Sequence, residues 1–233
     1  MSLNLLTLKS MDKNFSPKDC HFIFPNPSEA DDDGLLAYGG DLSVNRLLCA
    51  YSQGIFPWFN DDDPILWWSP NPRFVLYIDD LHIPKSLKKI IKKNRFEIRF
   101  DTSFVKVMIE CANANRPDQD GTWITPDMIE AYSDLHNQGF AHSFEAWLDG
   151  ELVGGGYGVS IGDIFCGESM FTKVNDASKV AFVALVDRLK QNGFKLIDSQ
   201  IYTEHLERFG AKHITRDKYL NLVKQSLNNP KEF

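Results

Sequence analysis

The sequence predicts a mixed α/β (α+β) fold in two parts, a small N-terminal domain over residues 1–72 and a larger domain over residues 73–233. Residues 24–41 are dense in Pro, Gly and Asp, and residues 55–72 contain four prolines, so neither stretch can form a continuous helix. The remainder alternates amphipathic helical segments with short apolar runs. Three consecutive runs are joined by Asp149-Gly150 and Gly162-Asp163, which are hairpin turn signals and predict an antiparallel meander.

The N-terminal part contains one predicted helix, over residues 42–54. Ser43 is a plausible N-cap for this helix and Gly54 a plausible stop. The segment that follows has three tryptophans and four prolines up to residue 78, so it cannot form a continuous helix. Only its end, residues 73–78, is predicted to be a strand.

The larger part is predicted to be a series of strands and helices that ends in a strand–helix–strand unit. Thr125 and Gly139 bound one helix, and Gly193 ends the longest one. The predicted strands are 96–100, 143–148, 151–161, 163–171 and 196–201. The predicted helices are 85–95, 104–113, 126–138, 177–192, 203–209 and 217–226.

The net charge of −7 argues against a nucleic-acid partner, but the charge is unevenly distributed. Residues 1–63 carry ten carboxylates and four Lys or Arg side chains, so they account for −6. Residues 85–95, KSLKKIIKKNR, carry six cations and no anion. Helical spacing places the cations opposite Leu87, Ile90 and Ile91. This basic face is either a solvated helix surface or a contact to nucleic-acid phosphates.

Several classes of protein are disfavoured. The four cysteines lie far apart without a C-x-x-C pair, so we expect neither a zinc site nor a disulfide framework, and a reducing cytoplasm fits best. The N-terminal residues lack the order of a signal peptide, and no apolar run is long enough to span a membrane. No G-x-S-x-G or H-E-x-x-H motif supports a serine hydrolase or a zinc peptidase.

The glycine run at residues 154–158 does not fit a phosphate-binding loop. That fingerprint needs a strand, a glycine turn and then a helix, whereas these glycines lie inside a predicted strand. A β-bulge or a close backbone approach is the favoured interpretation.

Two polar groups in apolar strands are candidate site residues. Glu168 lies in the third strand of the meander, and alternation places it on the same face as Cys166 and Met170. Asp198 and Gln200 are two residues apart near the end of a later strand, so they share a face. Each group could bind an amine and handle its proton, or could be a hydrogen-bonded structural group or a helix cap. The spacing leaves both alternatives open.

Ten segments, in order from Phe24 to Tyr219, resemble bacterial leucyl/phenylalanyl-tRNA–protein transferases. Each segment is weak alone, whereas ten in register over nearly the whole chain are highly specific. The segments are FPNPSEADDDGLLAYGGDLS, LLCAYSQGIFPWF, ILWWSPNPR, GTWITPDMIEAY, LHNQGFAHSFEAW, ELVGGGYGV, IFCGESMF, NDASKVA, LIDSQ and HLERFGA.

The resemblance implies an enzyme that takes leucine or phenylalanine from aminoacyl-tRNA and attaches it to the N-terminal amine of proteins that begin with Lys or Arg. The product is an N-degron that marks the protein for proteolysis. The implied fold is a small N-terminal domain followed by a domain that resembles N-acetyltransferases (GNAT-like). No metal or organic cofactor and no membrane partner is implied.

The resemblance also implies roles for individual residues. Asp198, Gln200 and Glu168 match positions at the reaction centre. Gly156 falls where some relatives carry a larger apolar residue, which predicts a wider pocket here. The positions matched around the aminoacyl-adenosine are Tyr51, Trp58, Trp123 and Tyr132, those matched to the side-chain pocket are Phe165, Met170, Phe182, Leu185 and Ile197, and those in the tRNA-binding stretch are Lys85, Lys88, Lys89, Lys92, Lys93 and Arg95.

Two alternative functions are weighed against this one. An acyl-CoA-dependent N-acetyltransferase needs a glycine-rich turn to hold pyrophosphate, and residues 172–177 contain no glycine. A non-catalytic RNA-binding module would explain the basic helix and the tryptophans. It would leave Glu168, Asp198 and Gln200 without a role. Residues 228–233 are polar and are expected to be frayed.

Overall fold

The computed structural model describes Cys20, residues 22–114 and residues 122–233, and these residues form two β-sheets. Strands between residues 35 and 68 form a three-stranded sheet, and strands between residues 73 and 214 form a seven-stranded sheet. No described helix is both long enough and apolar enough to cross a membrane. The combination of strands and helices is the mixed α/β content that the sequence predicted.

The small sheet was not predicted from the sequence. Its strands have only two to four residues because prolines and the Asp61–Asp63 run interrupt them, too short for a period-two pattern. The predicted helix is confirmed as α1 (Val44–Tyr51), with Ser43 at its N-cap. The strands are β1 (Leu35–Tyr38), β2 (Phe56–Pro57) and β3 (Leu66–Trp68), paired antiparallel in the order β1-β3-β2.

The large sheet has the strand order β10-β4-β9-β8-β7-β6-β5. All neighbours are antiparallel except β8 and β9, and the chain crosses between that parallel pair through a long helix. The predicted meander is confirmed as β6–β8. The strands are β4 (Arg73–Tyr77), β5 (Glu97–Phe100), β6 (Ala141–Leu148), β7 (Glu151–Ile161), β8 (Ile164–Thr172), β9 (Leu196–Asp198) and β10 (Lys212–Ile214).

The six helices predicted after residue 73 are confirmed. Thr125 caps its helix as predicted, because its side chain accepts the backbone N–H of Met128 at 3.3 Å. Thr203 and Thr215 cap the last two helices in the same way. The helices are α2 (Lys85–Lys92), α3 (Phe104–Ala112), α4 (Pro126–Asn137), α5 (Ala177–Gln191), α6 (Glu204–Glu207) and α7 (Arg216–Ser226).

Two buried apolar clusters cover the two faces of the large sheet. On one face, α5 packs against β6 and β7. On the other face, α3 and α4 pack against the sheet, in a cluster that also contains Leu47 and Trp67 from the N-terminal part. Alternation in β8 shows the two faces, since Phe165 lies in the first cluster and Cys166 in the second.

Two expectations from the sequence are wrong. A disulfide joins Cys20 to Cys49, with their Cα atoms 5.4 Å apart, although the spacing of the cysteines gave no sign of this pair. The end of the chain is not frayed, because the ring of Phe233 stacks on His142 with centroids 4.1 Å apart. Tertiary contacts decide both features, and no local pattern encodes them.

Candidate functional site

A cavity of about 490 Å³ opens where β8 and β9 separate. Their pairing stops at Cys166 and Asp198, after which β9 ends while β8 continues to Thr172 alongside β7. Residues just after these points, Glu168 on β8 and Gln200 beyond β9, therefore face each other across the gap and line the cavity. The early end of β9 corrects the predicted strand, which continued to residue 201.

A β-bulge in β8 places Glu168 at the cavity. Tyr157 pairs with Ser169 and Gly158 pairs with Gly167, so Glu168 is the extra residue on its strand. The bulge reverses the alternation beyond it. Met170 consequently packs in the α5 cluster with Phe165, and the prediction that Met170 shares a face with Cys166 is wrong.

The carboxylate of Glu168 is held by neutral donors. The hydroxyl of Tyr51 donates to Oε1 at 2.8 Å, and the side-chain amide of Gln200 donates to the same oxygen at 3.0 Å. The hydroxyl of Tyr132 lies 3.4 Å from Oε2 and also contacts the hydroxyl of Tyr51. Burial raises the pKa of Glu168 to about 7, against the lowering effect of these hydrogen bonds.

Tyr51 and Tyr132 lie behind Glu168, away from the cavity wall. Both side chains are almost fully buried, and neither lines the cavity. Burial, followed by the negative charge of Glu168, raises the pKa of both hydroxyls well above the ordinary value. Both tyrosines therefore remain protonated donors, and they reach the site through Glu168.

Asp198 forms a buried ion pair with Arg73. Nε and Nη2 of Arg73 donate to the two carboxylate oxygens at 2.8 and 2.6 Å, and the hydroxyl of Tyr219 donates at 2.7 Å. Burial alone would lower the pKa of Arg73, but the adjacent carboxylate outweighs it and raises that pKa. Asp198 is fully buried and does not line the cavity.

Gln200 connects the buried ion pair to Glu168. Its backbone N–H donates to Oδ1 of Asp198 at 3.0 Å, and its φ of +56° is in the left-handed region. Its side chain then reaches Glu168. Asp198 thus fixes the backbone from which the Gln200 amide extends.

Arg73 was missed as a site residue by the sequence reasoning. The one available signal was a single cation at the start of a short apolar strand, where an unpaired charge is costly to bury. Its partner lies 125 residues away in the sequence, so no local spacing identifies the pair.

The five residues predicted to form a side-chain pocket all line the cavity. They come from β8, α5 and β9, and the lining also includes apolar residues that the sequence analysis missed, among them Phe144 and Leu206. Gly156 does not itself line the cavity, and a Cβ there would lie 2.4 Å from the carbonyl oxygen of Ser169 and 2.6 Å from the ring of Phe144, so a larger residue at this position would press on a wall residue. The predicted wall residues are Phe165, Met170, Phe182, Leu185 and Ile197.

Trp58 and Trp123, which the resemblance places around the aminoacyl-adenosine, also line the cavity. Trp58 is 37% exposed and therefore lies at the opening. Its carbonyl oxygen accepts the indole N–H of Trp68 at 2.6 Å, and the two rings are 5.6 Å apart. His205, to which the sequence assigned no role, also lines the cavity, and burial lowers its pKa.

The basic helix α2 is amphipathic as predicted. On its apolar face, Leu87 is buried and Ile90 and Ile91 are partly buried. The six cations of residues 85–95 are exposed. None of these six forms an ion pair with a described residue. Just before α2, the backbone N–H of His82 donates to the carbonyl of Phe209, so α2 begins beside the segment that carries His205.

Among the described residues, no group of three or more His, Cys, Asp or Glu side chains is placed to hold a metal ion.

The glycine run at residues 154–158 has the close backbone approach that the sequence favoured. A Cβ on Gly154 would lie 2.7 Å from Cβ of Ala177 and 2.8 Å from the backbone nitrogen of Ser178. The start of α5 is therefore covered by β7.

Comparisons with known proteins agree with the motifs. A family model described as leucyl/phenylalanyl-tRNA protein transferase matches residues 75–224, and the model of that family's N-terminal domain matches residues 40–71. A curated leucyl/phenylalanyl-tRNA–protein transferase from Sulfurimonas denitrificans is 55% identical over 206 residues, covering 88% of this chain and 90% of the relative. One from Hydrogenovibrio crunogenus is 56% identical over 205 residues, covering 87% and 80%.

A solved structure of a functionally unknown protein from Staphylococcus epidermidis aligns with 78% of this chain and 68% of its own, at a TM-score of 0.41 and 8% identity. A match this weak supports no conclusion. The family assignment rests on the family models and the relatives, because together they span the meander, the gap between β8 and β9, and α1. The chain belongs to the leucyl/phenylalanyl-tRNA–protein transferase family.

Proposed function

We propose that this protein transfers leucine or phenylalanine from aminoacyl-tRNA to the N-terminal amine of a protein, and that acceptors begin with Lys or Arg. The observation that carries the proposal is the cavity itself. An apolar pocket adjoins a carboxylate that titrates near neutrality, in a chain of this family. The product would be an N-degron made in the cytoplasm.

The reaction is an aminolysis. The amine nitrogen attacks the ester carbonyl carbon, a C–N bond forms, and the C–O bond to the terminal ribose breaks. The amine loses a proton and the ribose oxygen gains one. The ester is already activated, so the protein must position the two substrates and remove a proton. An N-terminal amine has a pKa of about 7.7–8.0, close to that of Glu168.

We assign the proton acceptor to Glu168. Its carboxylate lines the cavity, and with a pKa of about 7 it is partly ionised near neutral pH and basic enough to accept a proton. The Tyr51, Tyr132 and Gln200 donors fix its orientation without a counter-charge. The same carboxylate would attract the cationic end of the acceptor.

Asp198 acts through Gln200 in this proposal. The alternative, in which Asp198 takes the proton directly, requires a free carboxylate in the cavity. Its oxygens instead accept from Arg73, Tyr219 and the Gln200 backbone, and it lies outside the cavity wall. Asp198 therefore positions the Gln200 amide, which can hold the amine or the carboxylate.

The side-chain pocket accounts for a preference for two bulky apolar aminoacyl groups. Aromatic and aliphatic walls from β8, α5 and β9 favour leucine and phenylalanine over small side chains, which leave contacts unfilled. Each missing methylene costs about 1–3 kcal/mol in such a pocket. Trp58 and Trp123 at the same cavity offer stacking surfaces for the terminal adenosine.

We assign the tRNA contact to the six cations of residues 85–95. They are exposed on one helix and the turn after it, and phosphates are the natural partners of unpaired surface cations. Binding through phosphates would be largely independent of tRNA sequence and steeply dependent on salt.

We also propose that residues 1–72 and 73–233 are two domains, and that the second is GNAT-like. The support for a GNAT-like arrangement is the parallel β8–β9 pair with its crossover helix α5, and the cavity where these strands separate. An acyl-CoA donor is disfavoured, because β7 packs against the start of α5 where a pyrophosphate would need open backbone amides.

The test is transfer of radiolabelled leucine from Leu-tRNA to a peptide that begins with Arg, with an N-acetylated peptide and an acetyl-CoA donor as controls. Label only on the free-amine peptide, and only from tRNA, would support the proposal. Label from acetyl-CoA would refute the donor. Tight tRNA binding with no label from either donor would favour the RNA-binding module.

A further inference from the structure

Phe233 packs against a wall of the side-chain pocket without lining the cavity. Its ring centroid lies 5.7 Å from that of Phe165, with the planes inclined by 26°. Phe165 is fully buried and lines the cavity, whereas Phe233 does not. Phe165 therefore separates Phe233 from the cavity.

On the side away from the cavity, the Phe165 ring lies against Gly158 of β7 and the ring of Phe233. A Cβ on Gly158 of β7 would lie 2.5 Å from the Phe165 ring, so the ring rests on the glycine backbone. Beyond Gly158, Phe233 stacks on His142 at 4.1 Å and meets Phe100 edge-on at 5.9 Å. Phe233 thus fills the space above the neighbouring strands β6 and β5.

Helix α5 holds Phe233 in place. Nη2 of Arg188 donates to the carbonyl oxygen of Phe233 at 3.2 Å, and the guanidinium lies 5.0 Å from the centre of its ring. The backbone N–H of Lys231 donates to Gly162 at 3.0 Å. Arg188 follows Leu185 by one helical turn, so the helix that forms part of the pocket wall also fixes the ring behind it.

We propose that Phe233 is a positioning residue that sets the depth of the side-chain pocket by supporting Phe165. This inference rests on the proposed transfer of apolar aminoacyl groups. In a close-packed interior, a wall ring backed by another ring cannot retreat, and removal of the second ring leaves a void into which the first can move. A deeper pocket favours larger aminoacyl groups over leucine.

The test compares kcat/KM for Leu-, Phe- and Trp-tRNA in Phe233→Ala, Phe233→Leu and the parent protein. In Phe233→Ala we expect the Phe:Leu and Trp:Leu ratios to rise by about tenfold, since one methylene-sized mismatch is worth 10–200-fold in such pockets. Phe233→Leu keeps most of the apolar volume and should show a smaller rise. The affinity for tRNA and the KM for the acceptor peptide should not change.

Lys231→Ala is the matched control in the same segment. A Cβ on Gly193 would lie 3.4 Å from the Lys231 side chain, which places that side chain beside Gly193, and its backbone hydrogen bond survives the substitution. This variant should keep the parental ratios. Equal losses for all three aminoacyl groups in Phe233→Ala, with a lower denaturation midpoint, would reduce Phe233 to a stability role and overturn the inference.

The parent protein distinguishes the two proposals. If the parent transfers leucine and phenylalanine and Phe233→Ala keeps the same ratios, the inference fails and the proposed function stands. If the parent transfers neither, the proposed function fails and the inference with it.

Discussion

Replacing Glu168 by Gln should stabilise the protein at alkaline pH while it strongly slows transfer. The carboxylate sits in a site that disfavours its charge, with a pKa raised from 4.5 to about 7 chiefly by burial. A neutral amide has no charge to desolvate. It can still accept the hydrogen bond from the Tyr51 hydroxyl, which lies 2.8 Å from Oε1.

The sign of the stability effect follows from the direction of the shift. Because the folded-state pKa lies above the unfolded value, the folded protein binds this proton more tightly than the unfolded chain does. The stabilisation is complete below about pH 4.5 and is lost as the pH rises through about 7. The amide shows no such loss. The difference in unfolding free energy between Glu168→Gln and the parent should therefore grow by about 2.5 kcal/mol from about pH 5 to about pH 8.

The assay is urea denaturation of both proteins at these two pH values. Any constant offset from the altered hydrogen bonds cancels in the comparison, so only the change with pH matters. Glu151→Gln, at an exposed position, is the control and should show no such growth. Transfer by Glu168→Gln should fall by about 100-fold or more, the usual contribution of a general base. A stability difference that stays constant between the two pH values would refute the raised pKa and the proton-acceptor role built on it.

Two further predictions concern the buried ion pair and the basic helix. Arg73→Ala leaves the Asp198 carboxylate buried without its cation and should lower the unfolding free energy by about 3–5 kcal/mol in urea denaturation; a loss below 1 kcal/mol would contradict the pairing. Replacing Lys88, Lys89 and Lys92 together by Gln should reduce the slope of log K for tRNA against log salt by about 2–3, measured by filter binding from about 50 to 200 mM salt. An unchanged slope would place the tRNA contact elsewhere.

The sequence predicts the elements that carry a repeated pattern and misses those that do not. Helices α2 to α5, α7 and the β6–β8 meander have enough residues for a 3.6- or two-residue period to appear. Strands β2 and β10 have only two and three residues, and β10 pairs with β4, which is distant in sequence. The Cys20–Cys49 disulfide and the docking of Phe233 depend on tertiary contacts in the same way.

The candidate site shows the same limit at single residues. Glu168 could be found, because a carboxylate in an apolar strand is unusual, but its position on the strand could not. Alternation assumes one residue per pleat, and the extra residue opposite Tyr157 and Gly158 breaks that count. The Arg73 partner of Asp198 joins segments 125 residues apart, so motif spacing could not reveal that this carboxylate is already occupied.

The two carboxylates have different partners, which is why we propose different roles for them. Asp198 meets a guanidinium, which neutralises it and turns it into a fixed structural anchor for Gln200. Glu168 meets only hydroxyls and an amide, which orient it without neutralising it, so burial raises its pKa to about 7. The presence of Asp198 raises that pKa and the presence of Arg73 lowers it, so exchanging the pair for neutral residues would leave burial in control. In the proposed mechanism, the cation therefore secures the geometry of the site and leaves the basicity of Glu168 available for the reaction.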